Sequence, residues 1–180
     1  LGNFLNQVNK KDYVVIYLSG HGMVSPRNTS RYYYLPSEAN AENLAGTAIR
    51  MDDIFRLVRE SPAGKKLIIA DVCHSGAISA QGPTKGTNAV NEHLKSLAKA
   101  YDGLSVLTSS MATQLSHEFK EKDKSVFTYF LLQALGPKAN EVDGKGGKRD
   151  GVIDIKEAYE WVRDQVKQHT RAAQIPDFKG

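Results

Sequence analysis

The one cysteine of this chain, Cys73, ends an apolar run, and His21 ends another 52 residues earlier. Cys73 lies in Lys66–Gly76, Lys-Leu-Ile-Ile-Ala-Asp-Val-Cys-His-Ser-Gly, and His21 in Ser19-Gly20-His21-Gly22. A thiol becomes a strong nucleophile as its thiolate, which a neighbouring imidazole helps to form or hold. The same imidazole can protonate a leaving amine. Gly20 and Gly22 allow a sharp turn and close approach of a substrate. The amides of Gly22 and Cys73 are natural oxyanion donors. Asp71 lies two residues before Cys73, so strand alternation puts both on one side, where a carboxylate would favour a cationic substrate group. Each residue has a plainer reading alone: Cys73 as a buried thiol, His21 as a turn histidine, Asp71 as a cap for backbone N–H groups. Their combination favours catalysis. His74 points away from Cys73 if the segment is a strand, and His93, His117 and His169 read as surface or packing residues.

These groups need parallel strands whose carboxyl ends meet at one edge. Tyr13–Leu18 is a continuous β-branched and aromatic run, read as a buried parallel strand, with Ser19–Gly22 following it. Leu67–Asp71 is the second strand and Leu104–Thr108 a third. Arg31–Leu35 and Thr47–Ile49 are strand-like, with Ser25–Ser30 a loop. Leu1–Asn9 reads as the end of a helix. Asp52 would cap a short helix that buries Ile54, Phe55, Leu57 and Val58. Val90, Leu94, Leu97 and Tyr101 recur at helical spacing. Ser125 caps an apolar, largely buried helix over Val126–Leu135, which Gly136-Pro137 stops. Asp154 and Glu157 form a capping-box pattern ahead of a helix carrying Ile155, Tyr159, Val162 and Val166. Gly76–Asn88, Ser109–Glu118 and Lys138–Gly151 read as loops, and Ala172–Gly180 as a tail. Alternating strands and helices imply an α/β sheet with helices on both faces. No repeat or second boundary divides residues 1–180, so a single domain is expected.

Hydrophobic residues make up 41% of the 180 and charged residues 24%, which is globular composition. One cysteine rules out an intrachain disulfide framework and fits a reducing compartment, so a cytoplasmic location is expected. No apolar run approaches a membrane span. The net charge of +4 comes from scattered Lys and Arg rather than one basic face, so neither specific nucleic-acid binding nor a membrane partner is expected. The chain begins at Leu1 and reads as a fragment or processed product.

Ser-Gly-His-Gly after one apolar strand and Asp-x-Cys-His-Ser-Gly after another resemble the caspase-like cysteine peptidases. Their histidine lies about 50 residues upstream of the cysteine. Asp71 stands where caspases have glutamine, and His74 and Ser75 also depart from them; these departures resemble the metacaspase branch and its bacterial relatives. The resemblance runs from Asp12 onward and includes Ser125–Leu135, Asp150–Val162 and Gln174–Gly180. It implies a three-layer sandwich around a mostly parallel sheet. It implies Cys73 as nucleophile, His21 as general base and acid, Asp71 as the floor of the pocket for the residue before the cut (P1), Ser19 beside it, and Ser109–Met111, with Ser109 and Ser110, bordering a cleft that takes the substrate as an added strand. Cleavage after Arg or Lys follows, with protein or peptide substrates as partners. The family's sheet also has an earlier strand that this chain lacks. A preceding segment or companion domain would complete it; otherwise the chain is a catalytically inactive module for assembly or regulation.

The chemistry of a thiol and an imidazole requires no cofactor. The resemblance brings in calcium as a candidate activator, with Asp52 and Asp53 as candidate ligands and Glu38 assisting. The alternative is that Asp52 caps its helix and Asp53 complements the dipole. Asp143–Glu157 superficially suggests an EF-hand, but setting Gly151 at the loop's sixth position puts Gly146 and Lys148 where carboxylates are needed. The lysines around Lys85 and in Lys120–Lys124 are expected sites of autocleavage.

Overall fold

Strand alternation divides this protein into two cores. In the computed structural model, which describes residues 1–74, 89–111, 114, 116–136 and 152–180, a six-stranded sheet runs through the middle. Its strands are β1 (Tyr13–Ser25), β2 (Asn28–Leu35), β3 (Ile49–Arg50), β4 (Lys65–His74), β5 (Leu104–Thr108) and, after a small hairpin of β6 (Glu118–Phe119) and β7 (Lys124–Ser125), β8 (Asp177–Lys179). The order is β3-β2-β1-β4-β5-β8. The central trio β1, β4 and β5 is parallel and carries most of the paired residues, while β2, β3 and β8 add antiparallel edges.

One face buries Val14, Ile16, Ile68, Ala70, Val72 and Val106 under α1 (Gly2–Leu5), α3 (Met51–Glu60) and α4 (Ala89–Ala100), with α2 (Leu44–Thr47) a single turn before β3. The other face sets Ile69 and Leu107 against α5 (Val126–Ala134) and α6 (Ile155–His169). This is the expected three-layer α/β sandwich. Burying apolar surface at roughly 25 cal/mol per Å² drives both layers onto the sheet. The Asp154–Glu157 capping box forms as read: Asp154 Oδ1 accepts from the Lys156 and Glu157 amides, and Glu157 Oε2 accepts from Asp154 N–H. Ser125 caps α5 by accepting from Thr128 N–H at 2.9 Å.

Several readings change. The first strand does not stop at Leu18: it continues through Ser19–Gly22 to Ser25, because β2, longer than expected, folds back and pairs with His21–Ser25. Nor is it buried on both faces. Tyr13, Val15 and Tyr17 are 73%, 60% and 45% exposed, since α5 and α6 cover β4 and β5 and α5 reaches β1 only where Thr128 meets the Tyr17 hydroxyl. An apolar run does not tell one-sided from two-sided burial. Among the described residues, Tyr13–Gly20 pair only with β4 and have no strand on their other edge. Helix α1 is shorter than Leu1–Asn9, α5 leaves Leu132 and Leu135 exposed, and Arg50, not Asp52, is the N-cap of α3. The C-terminal tail supplies β8, which Lys95 of α4 anchors through a 2.7 Å ion pair with Asp177. The loops expected over Gly76–Asn88 and Lys138–Gly151, with Lys85 and most of the EF-hand-like stretch, lie outside the described residues.

Candidate active site

The β1–β4 ladder brings the two sequence clusters together. His21 is the register partner of Cys73, Ser19 of Asp71, and Gly22 of His74. Adjacent strands lie about 4.8 Å apart, so positions 21 and 73 sit at one level, one strand spacing from each other. His21 and Ser19 are exposed, whereas Gly22 is buried between β2 and β4, opposite Tyr34 and His74.

The backbone beside His21 is set by Gly20. Its φ of +146° is one that L side chains rarely adopt. A Cβ there would also stand 3.0 Å from Tyr34 Oη, which donates to the Ser19 carbonyl at 2.5 Å. The hydroxyl of Tyr34 thus braces the chain between Ser19 and His21. Tyr34 lies in Arg31–Leu35, which reads as strand-like, but nothing in the sequence marks it for this role, because the pairing with Gly22 that delivers it is not visible in either segment alone.

Asp71 is 3% exposed and sits where β4 meets the start of α5. Its Oδ2 accepts hydroxyl protons from Ser125 and from Thr128, the latter at 2.5 Å. Thr128 is in turn 2.5 Å from Tyr17 Oη, which places Tyr17 and Asp71 on the α5 face of the sheet. Among the described residues no donor reaches Asp71 Oδ1. Sequence reasoning identified Ser125 only as a helix cap and gave Thr128 no role.

Ser109 and Ser110 stand at the tip of β5, where Ser109 N–H donates to the Ala70 carbonyl at 2.9 Å. Both are buried, and their hydroxyls point into the protein: Ser109 Oγ lies 2.6 Å from Ser116 Oγ, and Ser110 Oγ donates to the Gln114 carbonyl at 3.2 Å. The C-terminal segment locks this tip of β5. Gln174, fully buried, donates from Nε2 to the Ser109 carbonyl and accepts the His117 N–H at Oε1, each at 2.8 Å. A glutamine in a polar tail carries no sequence signal for such a role.

The metal candidates do not converge. Asp52 is held by Arg50 at 3.1 Å, which places a guanidinium on the carboxylate a cation would need, and Glu38 is exposed. That hydrogen bond raises the Arg50 pKa, keeping the guanidinium charged. Among the described residues no three His, Cys, Asp or Glu side chains form a ligand cluster. Asp52, Asp53 and Glu38 as they stand therefore do not fit a calcium site. A groove of about 900 Å³ between Tyr13, Val15 and Ile155 lies at the amino ends of the strands, the opposite end from His21.

The caspase domain family matches the chain over residues 1–180. The chain belongs to the caspase domain family. Among solved structures, this caspase domain resembles protein GSU0716 from Geobacter sulfurreducens, with a TM-score of 0.56 at 16% identity over 98% of this chain and 69% of that one. At that identity the likeness speaks for the fold alone. Among curated proteins, none matches the chain. Family membership supports peptidase chemistry in general terms. No helix among the described residues of this caspase domain is long and apolar enough to cross a membrane.

Proposed function

We propose that this caspase domain is a cysteine endopeptidase of the metacaspase-like branch that cleaves after Lys or Arg. The observation that carries the reading is the register pairing of His21 with Cys73. In the proposed cycle, the Cys73 thiolate bonds to the substrate carbonyl carbon while the amides of Gly22 and Cys73 hold the oxyanion. The C–N bond then breaks, and the amine leaves with a proton from His21. Water, giving a proton back to His21, attacks the thioester, releasing a carboxylic acid and restoring the Cys73 thiolate beside the protonated His21. Asp71 supports the basic preference: it is a buried carboxylate near the dyad, and no donor among the described residues reaches one of its oxygens. Ser19, the register partner of Asp71, would line the same pocket, and the tip of β5 at Ser109 and Ser110 would wall the cleft through its backbone. The hairpin tip carrying Lys120, Lys122 and Lys124 is exposed and basic, which suits autocleavage there. Intact mass of active protein, compared with Cys73→Ala, reads that directly.

A second reading is a catalytically inactive module used for assembly. It draws on the edge of Tyr13–Gly20, which no strand among the described residues pairs, and on the exposed Tyr13, Val15 and Tyr17 beside it, a surface suited to a further strand. Fluorogenic peptides ending in Arg, Lys or Asp, given to this protein and to Cys73→Ala with and without calcium, separate the two. Turnover of the basic peptides that Cys73→Ala lacks supports the peptidase. Absence of turnover under every condition supports the module, and turnover of the Asp peptide alone removes Asp71 as the selector.

A further inference from the structure

The two carboxylate oxygens of Asp71 meet different surroundings. Oδ2 accepts from both Ser125 Oγ and Thr128 Oγ1, which fills the two lone-pair positions of one carboxylate oxygen. Oδ1 is buried as well, and among the described residues no donor reaches it. A buried acceptor that no donor among the described residues reaches marks a place for a donor from elsewhere.

Proton counting fixes the direction of the surrounding bonds. Thr128 has one hydroxyl proton and gives it to Asp71, so the 2.5 Å contact between Tyr17 Oη and Thr128 Oγ1 runs from Tyr17 to Thr128. Ser125 gives its proton to Asp71 and accepts Thr128 N–H. Ser125 of β7 and Thr128 in the first turn of α5 thereby aim their hydroxyl dipoles at Oδ2, with Tyr17 of β1 behind Thr128, and hold the carboxylate in one orientation.

We propose that Ser125 and Thr128, and Tyr17 through Thr128, are specificity-positioning residues that make Asp71 a single-oxygen reader, so that the site accepts a lysyl ammonium at least as well as an arginyl guanidinium. This rests on the reading of Asp71 as the floor of the P1 pocket. A guanidinium gains most from a carboxylate through a fork, with parallel N–H bonds to both oxygens. With Oδ2 filled, the fork has one oxygen to work with. An ammonium is a compact point donor and loses nothing by the arrangement.

The test is kcat/KM for two peptides that differ only in Lys or Arg before the cut, measured with the unmodified protein, Thr128→Val, Thr128→Ser and Tyr17→Phe. The unmodified protein should show an Arg-to-Lys ratio of one or less. Thr128→Val should raise the ratio about fivefold or more by freeing Oδ2, Tyr17→Phe should raise it less, and Thr128→Ser should restore it. A merely structural loss lowers both substrates together and leaves the ratio alone. Tyr17 is half exposed, so Tyr17→Phe keeps the test open if Thr128→Val does not fold. An unchanged ratio in the folded variants, or a preference for Arg above about tenfold in the unmodified protein, overturns the positioning role while basic specificity stands. Binding of butylammonium and butylguanidinium to Cys73→Ala, followed by NMR titration, reads the same ratio without chemistry. If neither binds and neither basic peptide turns over, the P1 reading of Asp71 fails, and this inference with it.

Discussion

His21 and Cys73 are paired across the parallel β1–β4 ladder, with Ser19 and Asp71 paired two residues earlier on the same strands. The sheet itself, rather than a loop, therefore sets the spacing of positions 21 and 73. If the two act as one unit, removing either should cost nearly as much as removing both. His21→Ala and Cys73→Ala should each lower kcat/KM on basic peptides by about 10³-fold or more, and the double variant little further. Both positions lie near the end of the paired segment, so far-UV circular dichroism should be unchanged. Multiplicative losses would show that the two residues act independently.

Asp71 separates a structural role from a selective one. Asp71→Asn keeps an acceptor for Ser125 and Thr128 but removes the charge. Stability should fall by about 1–2 kcal/mol, since charge-assisted bonds become neutral ones. Activity on Lys and Arg peptides should fall about 100-fold, while a peptide with an uncharged residue before the cut should be spared. An equal loss on all peptides would make Asp71 a brace for the start of α5 and nothing more. Urea denaturation and matched peptides together decide.

Gly20 bears on both backbone geometry and the brace from Tyr34. Gly20→Ala should destabilise by about 1–3 kcal/mol, from an unfavourable φ and from the contact with Tyr34 Oη. Tyr34→Phe in that background should return only part of the loss, because it removes the close oxygen but not the φ of +146°. The kcat of Gly20→Ala should fall more than its KM rises, because His21 is displaced and Asp71 is not. A full return of stability in the double variant would mean the φ costs nothing.

What the sequence made legible follows from where the information is local. Cys73, His21 and Asp71 stand out as candidates because rare polar groups end apolar strands, and the strands are legible because Ile68, Ile69, Val106 and Leu107 form runs with few alternatives. The Ser125 cap and the Asp154–Glu157 box are local hydrogen bonds, and both formed as read. The roles of Tyr17, Tyr34, Thr128 and Gln174 are products of long-range pairing: each reaches a partner on another element, from 15 residues away for Tyr34 and Ser19 to 111 for Tyr17 and Thr128. No periodicity reports such a contact. The exposure of Tyr13, Val15 and Tyr17 was missed for a related reason, since strand composition does not say which faces helices cover.

Gln174 makes the final test, because it joins a segment that looked like a tail to the wall beside Asp71. Its side chain, itself fully buried, satisfies the buried Ser109 carbonyl and the partly buried His117 N–H. The chain reaches it through Arg171 and Ala172, both at positive φ, with Ala172 N–H donating to the Lys167 carbonyl at 2.7 Å. Gln174→Ala leaves the buried Ser109 carbonyl and the partly buried His117 N–H unmet and should cost about 1–3 kcal/mol. Gln174→Glu keeps the bond from His117 but sets a carboxylate against the Ser109 carbonyl, so it should be no better than Ala. Ala172→Gly should act in the opposite direction, stabilising by up to about 1 kcal/mol by relieving the left-handed conformation. Denaturant midpoints of the three variants give the signs. If the segment holds the wall in place, Gln174→Ala should also raise KM for basic peptides well below the denaturation midpoint. A loss of stability with KM unchanged would confine Gln174 to the core and detach the C-terminal segment from the site.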